Sequence, residues 1–409
     1  MTVLARRGAA IDTVPFVLLA LLVAAFPWDD ALAYPTKTVS VIKLLGALVA
    51  AGYLAHAVAR RDELRLPWTV FAVTAFVIVM LVSLVLSGDP GSGLNRALRY
   101  VLFGGFFFLV VQLVRSRSRI VWLFRVLTVS ATVAGIVGLV GIATGHVLRA
   151  SGPIGEANDF AALLGATVPL ALYLAVSERG RRWLWIACAA VLTVALAGTI
   201  SRGAAVGLAA VGIWAVAARR VPLVPALITV GAAAAAAAVA FLLFQPFITD
   251  RLHGKSNVAR ENVESRKAYW SAAVRIAADH PGVGIGPGRF GIVGEQGYIH
   301  GDPLHLRRPS AHNTYLEVLA EGGAAGLLAF LAFIVGTWRL AARARRAALR
   351  DADSDSAALG SALQAGLLFS LVSALFLSTQ VGAPLWLLGG LAAVLAYDVG
   401  AEEGLQFGG

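Results

Sequence analysis

The sequence predicts an all-α polytopic membrane protein with about twelve transmembrane helices. Hydrophobic residues make up 58% of the 409 positions and charged residues only 14%, too few to cover the surface of a soluble protein of this size. Apolar runs of about 17–25 residues, enough to cross a hydrocarbon core of about 30 Å, recur along nearly the whole chain. The predicted spans are residues 14–32, 38–58, 67–87, 94–114, 120–144, 158–177, 183–199, 203–218, 222–244, 314–338, 358–378 and 383–399.

The distribution of basic residues predicts the orientation, because loops rich in Lys and Arg stay in the cytoplasm. The basic loops fall on alternate sides of the numbered spans, at residues 6–7, 60–65, 115–119, 178–182, 219–220 and 339–350. Both termini are therefore expected on the cytoplasmic side of the membrane that the chain crosses. The net charge of +11 reflects this topology, and the scattered arginines argue against a nucleic-acid partner.

This orientation divides the chain into three regions. Residues 1–244 hold the first nine spans, residues 245–313 form one large extracytoplasmic loop, and residues 314–409 hold the last three spans and a cytoplasmic C-terminus. The long loop is the only large hydrophilic stretch, so we expect it to carry the activity or to cover it.

Within that loop, the stretch 259–279 shows the periodicity of an amphipathic helix. The predicted apolar stripe comprises Val263, Trp270, Val274 and Ala277. Arg266 falls at the edge of this stripe, where an arginine either snorkels to water or binds a ligand.

The segment "HPGVGIGPGRFGIVG" at 280–294 formally contains GxGxxG, but it includes a proline and lacks the strand-to-helix context of a dinucleotide site. It is instead expected to be a glycine-rich turn that approaches another backbone or a ligand closely. Five of the seven histidines lie in the external loop, yet their spacing matches no zinc motif, so no metal is expected.

The stretch "SAHNTYLEVLAEGGAAG" at 310–326 joins the loop to the tenth span. His312 is expected at the outer mouth, where a neutral imidazole can accept a proton from a substrate. Glu321 lies deeper, beside Gly322 and Gly323, and a carboxylate there is costly unless it is paired or hydrated. It either accepts hydrogen bonds at a broken helix or lines a polar cavity, and of the two we expect the first.

Several arginines lie on the outer side although the topology rule disfavours them there. Arg149, Arg202, Arg96 and Arg99 are examples. Each alone could snorkel, but several at one depth suggest a bound anion. A guanidinium grips phosphate oxygens with two parallel hydrogen bonds, which suits a diphosphate.

Several motifs together resemble one known family. They are "GPIGEANDFA" at 152–161, "TISRGA" at 199–204, "SRKAYW" at 265–270, "DHPGVGIGPGRF" at 279–290, and "HN" at 312–313 followed by Gly323 and Gly326. In order and on the predicted outer face, they resemble the superfamily of O-antigen ligases and O-antigen polymerases, which are bacterial envelope glycosyltransferases. Leu327 departs from the pattern, since a small or aromatic residue often follows the last glycine.

The resemblance implies a GT-C-like fold and an inverting enzyme that needs no cofactor or metal. Such an enzyme transfers a glycan from a polyprenyl (undecaprenyl-type) diphosphate to an acceptor hydroxyl. It works at the outer face of the bacterial cytoplasmic (inner) membrane. It further implies His312 as the general base, with Arg202 and Arg266 as a diphosphate clamp, and we expect Arg149 beside them. Residues expected to play secondary roles are Asn158, Asn313 and Glu321.

The resemblance leaves the acceptor open, because a ligase and a polymerase use the same chemistry on different glycan or lipid-glycan acceptors. A lipid-linked glycan transporter is the alternative from another class. Transporters usually carry broken helices and charges near the midplane and show repeat symmetry, whereas the polar residues here gather at one mouth. A non-enzymatic assembly scaffold is the remaining alternative.

Overall fold

The computed structural model describes residues 2–33, 40–60, 64–220, 263–300 and 310–400, with side chains described from Thr13 onward in the first helix. This part of the chain is all-helical. The helices are α1 Thr2–Ala25, α2 Val41–Arg60, α3 Trp68–Leu86, α4 Pro90–Leu113, α5 Arg117–Ala143, α6 Ala157–Ser177, α7 Arg182–Gly198, α8 Arg202–Ala217, α9 at 263–279, α10 Phe290–Val293, α11 Thr314–Arg350, α12 Ser354–Ser373 and α13 Ala383–Asp398.

Within the described ranges, eight helices are long and apolar enough to cross a membrane, and three shorter apolar helices accompany them. Each of these eleven overlaps a predicted span. The predicted span 222–244 lies outside the described residues, so the count of about twelve stays a prediction, as do the GT-C-like arrangement and the division at residues 244 and 313. The protein is a multi-pass membrane protein.

Local sequence signals explain where several helices begin and end. Asp89 caps α4, and Pro90 occupies its first turn, where a missing N–H costs nothing. Ser116 caps α5 in the same way. The first span is interrupted near Pro27, as expected, by a 3₁₀ turn at Phe26–Trp28. Between α7 and α8 the tight turn forces Ile200 into a left-handed conformation with φ of 52°.

The central helix of the bundle is α13. All of its residues from 385 to 396 are buried, in keeping with a helix that is apolar on every side. The indole of Trp386 stacks on Phe333 and Phe103, with ring centroids 5.1 and 6.1 Å apart, and Phe76 lies beside it. These rings tie α3, α4, α11 and α13 into one core.

The connections gather at two ends of the bundle. At one, which we call the basic end, the backbone N–H of Arg117 donates to Asp398, and the Arg117 guanidinium pairs with Asp353 and Asp355. The other, which we call the site end, holds the starts of α6, α8 and α11. There Ala150 N–H donates to the carbonyl of Gly198 at 2.9 Å, joining the α5–α6 link to the end of α7.

The tenth predicted span is shorter than the helix that contains it. We predicted residues 314–338, but α11 runs on to Arg350. At 1.5 Å per residue its 37 residues extend about 55 Å, well beyond a hydrocarbon core of about 30 Å. Its last turns therefore project at the basic end, where alanines pack inward and arginines face outward. The exposed arginines are Arg339, Arg343, Arg346 and Arg350.

The predicted apolar stripe of α9 is only partly correct, since Ala277 is buried and Trp270 half-buried but the two valines are not. Val263 and Val274 are 41% and 54% exposed, and the buried face is made mainly of small residues with Tyr269 and Ile276. This face packs on α10 and the start of α11. Alanines let the helix approach closely, so the packed side is not the side with the most large apolar residues.

Candidate functional site

Helix α11 is broken about a quarter of the way along, at the glycine pair. Gly323 has φ of 62° and ψ of −166°, far from helical values. The break frees backbone groups, and the glycine-rich turn pairs with them from outside. Ile285 and Gly286 donate to the carbonyls of Ala320 and Glu321 at 3.1 and 3.0 Å. The broken helix is therefore completed by a second segment of chain rather than by water.

The same turn also accepts hydrogen bonds from the residues of α11 that follow Gly323. Ala324 N–H donates to the Pro281 carbonyl at 2.8 Å, and Ala325 N–H donates to the Gly282 carbonyl at 3.2 Å. The approach is so close that a Cβ on Gly323 would lie 2.3 Å from the Gly282 carbonyl oxygen. Glycine is required there for both its backbone conformation and its size.

Glu321 lies at this break, where the structural interpretation places it. Its side chain is 1% exposed, and one carboxylate oxygen accepts from the backbone N–H of Phe290 at 3.3 Å. Its backbone carbonyl accepts a further bond from the Ser83 hydroxyl at 2.7 Å. Glu321 thus joins α3, α10 and α11, and its contribution to activity stays a prediction.

Glu317, one turn earlier, anchors the loop that carries the candidate base. Its carboxylate accepts from the backbone N–H of Ala311 at 3.1 Å, from Gln380 at 2.8 Å and from the Ser378 hydroxyl. Arg96 on α4 lies 3.6 Å away. Our sequence interpretation gave Glu317 no role, although a carboxylate four residues after an N-cap was a signal for one.

Asn313 caps the start of α11. Its side-chain oxygen accepts from the backbone N–H groups of Tyr315 and Leu316, both at 3.1 Å. The residue is only 7% exposed. Any secondary role of Asn313 is therefore exerted through the helix it starts, which follows His312 directly.

His312 occupies a left-handed backbone conformation with φ of 48°, which is uncommon for a residue with a side chain. Burial lowers the pKa of its imidazole, and the positive charge of Arg266 lowers it further. Carboxylates at Glu317 and Glu156 oppose the shift without reversing it. The imidazole is consequently neutral at physiological pH and able to accept a proton.

Arg266 lies beside this imidazole, and two further arginines from separate parts of the chain lie near Arg266. Burial lowers the pKa of the Arg266 guanidinium, and the nearby charges of Arg202 and Arg149 lower it further. Arg149 precedes α6, Arg202 begins α8, and Arg266 lies on α9. We call Arg149, Arg202, Arg266 and His312 the His–Arg cluster.

Members of the cluster differ in how they are held. Arg149 donates to the Thr199 carbonyl at 2.6 Å and to the Asn158 side-chain oxygen at 2.9 Å, while Asn158 is itself held by Glu156. By contrast, among the described residues no hydrogen bond or ion pair engages the side chain of Arg202 or Arg266. Two guanidinium groups therefore remain available to an anion, and Asn158 serves to position the third.

Metal ligands do not converge at this point of the described chain. No group of three or more His, Cys, Asp or Glu side chains arranged to hold a metal occurs in the parts that the structure describes. The charges near the imidazole of His312 are those of Arg266, Glu317 and Glu156.

The fold and the cluster define a membrane protein with a cationic site at one end and a half-buried neutral histidine in it. Residues 186–331 match the family model described as O-Antigen ligase, which supports the predicted assignment of the chain to the O-antigen ligase superfamily. The matched range contains Arg202, Arg266 and His312 but not Arg149. No curated protein matches the chain. Members of this family are glycosyltransferase-like enzymes of polysaccharide biosynthesis.

Proposed function

We propose that the protein is a metal-independent inverting glycosyltransferase of the O-antigen ligase type. It transfers a glycan from a polyprenyl diphosphate carrier to an acceptor hydroxyl at the outer face of the cytoplasmic membrane. The observation that supports this most is a half-buried imidazole with a lowered pKa beside Arg266, which itself lies near Arg202 and Arg149. A polymerase of the same superfamily would use the same cluster on a different acceptor.

The cluster suits the two demands of the reaction. A sugar hydroxyl is a weak nucleophile, and a positioned base contributes on the order of 10² to 10⁴ in rate. The diphosphate leaving group gains negative charge as the bond to the anomeric carbon breaks, so fixed guanidinium groups stabilise the transition state more than the ground state.

The step balances as a single displacement. His312 takes the proton of the acceptor hydroxyl. At the same time the hydroxyl oxygen of the acceptor bonds to the anomeric carbon of the donor, from the face opposite the diphosphate. The bond from that carbon to the phosphate oxygen breaks, and its electron pair leaves with the diphosphate between Arg202 and Arg266. The anomeric configuration is inverted, and His312 later returns the proton to solvent.

The reaction class is tested with purified protein in detergent, a polyprenyl-diphosphate-linked glycan and a hydroxyl-bearing glycan acceptor. We expect mass spectrometry to detect a new glycosidic linkage and free polyprenyl diphosphate without any membrane gradient. A transporter or a scaffold would leave both substrates unchanged, and that result would refute the proposal. The length of glycan transferred onto each acceptor then separates a ligase from a polymerase.

The donor site is tested separately by binding of the same lipid-linked glycan to Arg202→Gln and Arg266→Gln proteins. Loss of a charge-assisted phosphate contact should weaken binding about tenfold or more in each. Arg343→Gln, an exposed arginine at the basic end, serves as the matched control. Undiminished affinity in both site variants would remove these arginines from the donor site.

A further inference from the structure

A polar cavity lies at the site end, beside the His–Arg cluster. Its volume is about 320 Å³, at the small end of the range of about 300–1,000 Å³ typical of ligand pockets. Four charged side chains line it: Asp29 after α1, Arg96 and Arg99 on α4, and Asp159 on α6. The mechanism proposed above uses none of them.

The charges of this cavity differ from those of the His–Arg cluster. Two carboxylates face two guanidinium groups, so the lining is formally neutral, and Arg96 is also 3.6 Å from Glu317. In the cluster, three arginines outnumber the two nearby carboxylates, those of Glu156 and Glu317. A diphosphate would be repelled by Asp29 and Asp159, whereas an uncharged ligand would not.

The chemistry of the lining fits an uncharged molecule rich in hydroxyl groups. A hydroxyl both donates and accepts, so it can donate to a carboxylate and accept from a guanidinium in one site. Asp29, Arg99 and Asp159 are exposed to the cavity, and Ser378 and Thr379 add hydroxyls. Apolar walls accommodate the C–H faces of a sugar ring and are contributed by Phe26, Phe103, Ile42, Ile154 and Leu385.

Two short connections join the cavity to the cluster. Asn158 and Asp159 are neighbours at the start of α6, and Asn158 bonds Arg149 of the cluster while Asp159 lines the cavity. Arg96 approaches Glu317, whose carboxylate also holds Ala311, the residue before His312. The cavity wall and the loop that carries His312 therefore share Glu317, so a sugar in the cavity would lie near that loop.

We propose that this cavity binds a neutral sugar residue of the acceptor, with Asp159 and Asp29 accepting from its hydroxyls and Arg99 donating to them. The identification of this sugar as part of the acceptor rests on the proposed function. The binding of a sugar in the cavity does not rest on it, because binding can be measured without turnover.

The experiment uses the purified full chain in detergent and a panel of neutral methyl hexosides and 6-deoxyhexosides, with saturation-transfer NMR as the readout. At least one glycoside should bind the wild-type protein, and Asp159→Asn and Arg99→Gln should each weaken it about tenfold. Asn95→Gln, exposed on the same helix as Arg99 and outside the cavity, is the matched control. Binding of no glycoside, or unchanged binding in both cavity variants, would overturn the proposal.

Competition with inorganic pyrophosphate separates this site from the donor site. Pyrophosphate should fail to displace the glycoside, and Arg202→Gln should bind the glycoside as the wild type does. Displacement would mean that the cavity belongs to the donor site.

In transfer assays, Asp159→Asn should raise KM for the acceptor and leave KM for the lipid-linked donor unchanged. The reverse pattern would contradict the assignment of the cavity to the acceptor. If Arg202→Gln retains donor binding while the glycoside results hold, the proposed donor site fails and sugar binding stands.

Discussion

At the scale of single residues, His312 combines an uncommon backbone conformation with an unusual electrostatic environment. A left-handed conformation at a residue other than glycine costs on the order of 1–3 kcal/mol and persists only when the surroundings impose it. Here Glu317 holds the preceding residue and Asn313 starts the next helix, so both neighbours are fixed. The imidazole is thereby directed to one place, beside Arg266.

Replacement of the imidazole should stop catalysis without stopping donor binding. For His312→Gln we expect kcat to fall on the order of 10² to 10⁴, with unchanged affinity for the lipid-linked donor, because a base acts only in the chemical step. The measurement is initial transfer rate at matched protein concentration. His300→Gln, an exposed histidine in the same region, is the control and should keep full activity.

The pH dependence follows from the direction of the His312 shift. A base must be neutral to accept a proton, so activity is present above its pKa and lost as pH falls through it. Because the pKa is lowered, the acidic limb of kcat/KM should lie below the ordinary histidine value of about 6.5. Residual activity of Arg266→Gln should show that limb at higher pH, since the variant loses a nearby positive charge; a limb that stays in place would argue against the assignment.

Asn158 is expected to matter only through Arg149. In Asn158→Ala the guanidinium loses one of its two polar partners, and donor affinity should fall about fivefold. The pH profile should stay unchanged, because the imidazole keeps its surroundings. An altered pH profile would place Asn158 nearer to the chemistry than a positioning residue.

At the scale of elements, the site depends on helix α11, which is broken at Gly323. The glycine-rich turn after α9 replaces the hydrogen bonds that α11 loses at Gly323. The turn, α10 and the part of α11 before Gly323 therefore form one unit. Helix α9, which carries Arg266, packs against this unit. Any change that closes the break should displace both the turn and the base loop.

Gly323→Ala tests this unit. The Cβ of the alanine would strain the backbone at this positive φ and would collide with the Gly282 carbonyl oxygen. The two effects together should lower the free energy of unfolding by about 2–4 kcal/mol. The measurement is denaturant unfolding in detergent, together with transfer activity. Gly105→Ala is the control, since its Cβ would meet nothing within 4 Å and alanine favours a helix. Equal stability of the two variants would contradict the requirement for glycine at the break.

At the scale of the whole molecule, the two ends of the bundle have different chemistry. The basic end carries the arginine-rich loops and the projecting turns of α11, whereas the site end carries the His–Arg cluster and the neutral cavity. The proposed function requires the site end to face away from the cytoplasm, as the positive-inside rule predicts.

Cysteine labelling tests this orientation in intact cells. The single native cysteine, Cys188, is buried and provides an unreactive background. A membrane-impermeant maleimide should label His300→Cys from outside, and should label Arg343→Cys only after the membrane is permeabilised. The opposite pattern would place the cluster in the cytoplasm and refute the proposed function.

The sequence alone determined the features that depend on local composition. Apolar run length gave the spans, because crossing a hydrocarbon core requires a continuous apolar segment, and every predicted span in the described chain is matched by an apolar helix. The motifs identified the family that the comparison supports. The motifs named Arg202, Arg266 and His312, and the topology rule singled out Arg149; the structure brings the four together, although their catalytic roles stay predictions.

Only the tertiary structure decided the features that depend on contacts distant in the chain. Glu317 became the anchor of the base loop through Arg96 and Gln380, which lie far from it in sequence. The buried face of α9 and the neutral cavity likewise depend on which helices pack side by side. Hydrophobic periodicity reports how apolar a surface is, but the partner and the distance of approach are set by the shapes of the packed elements.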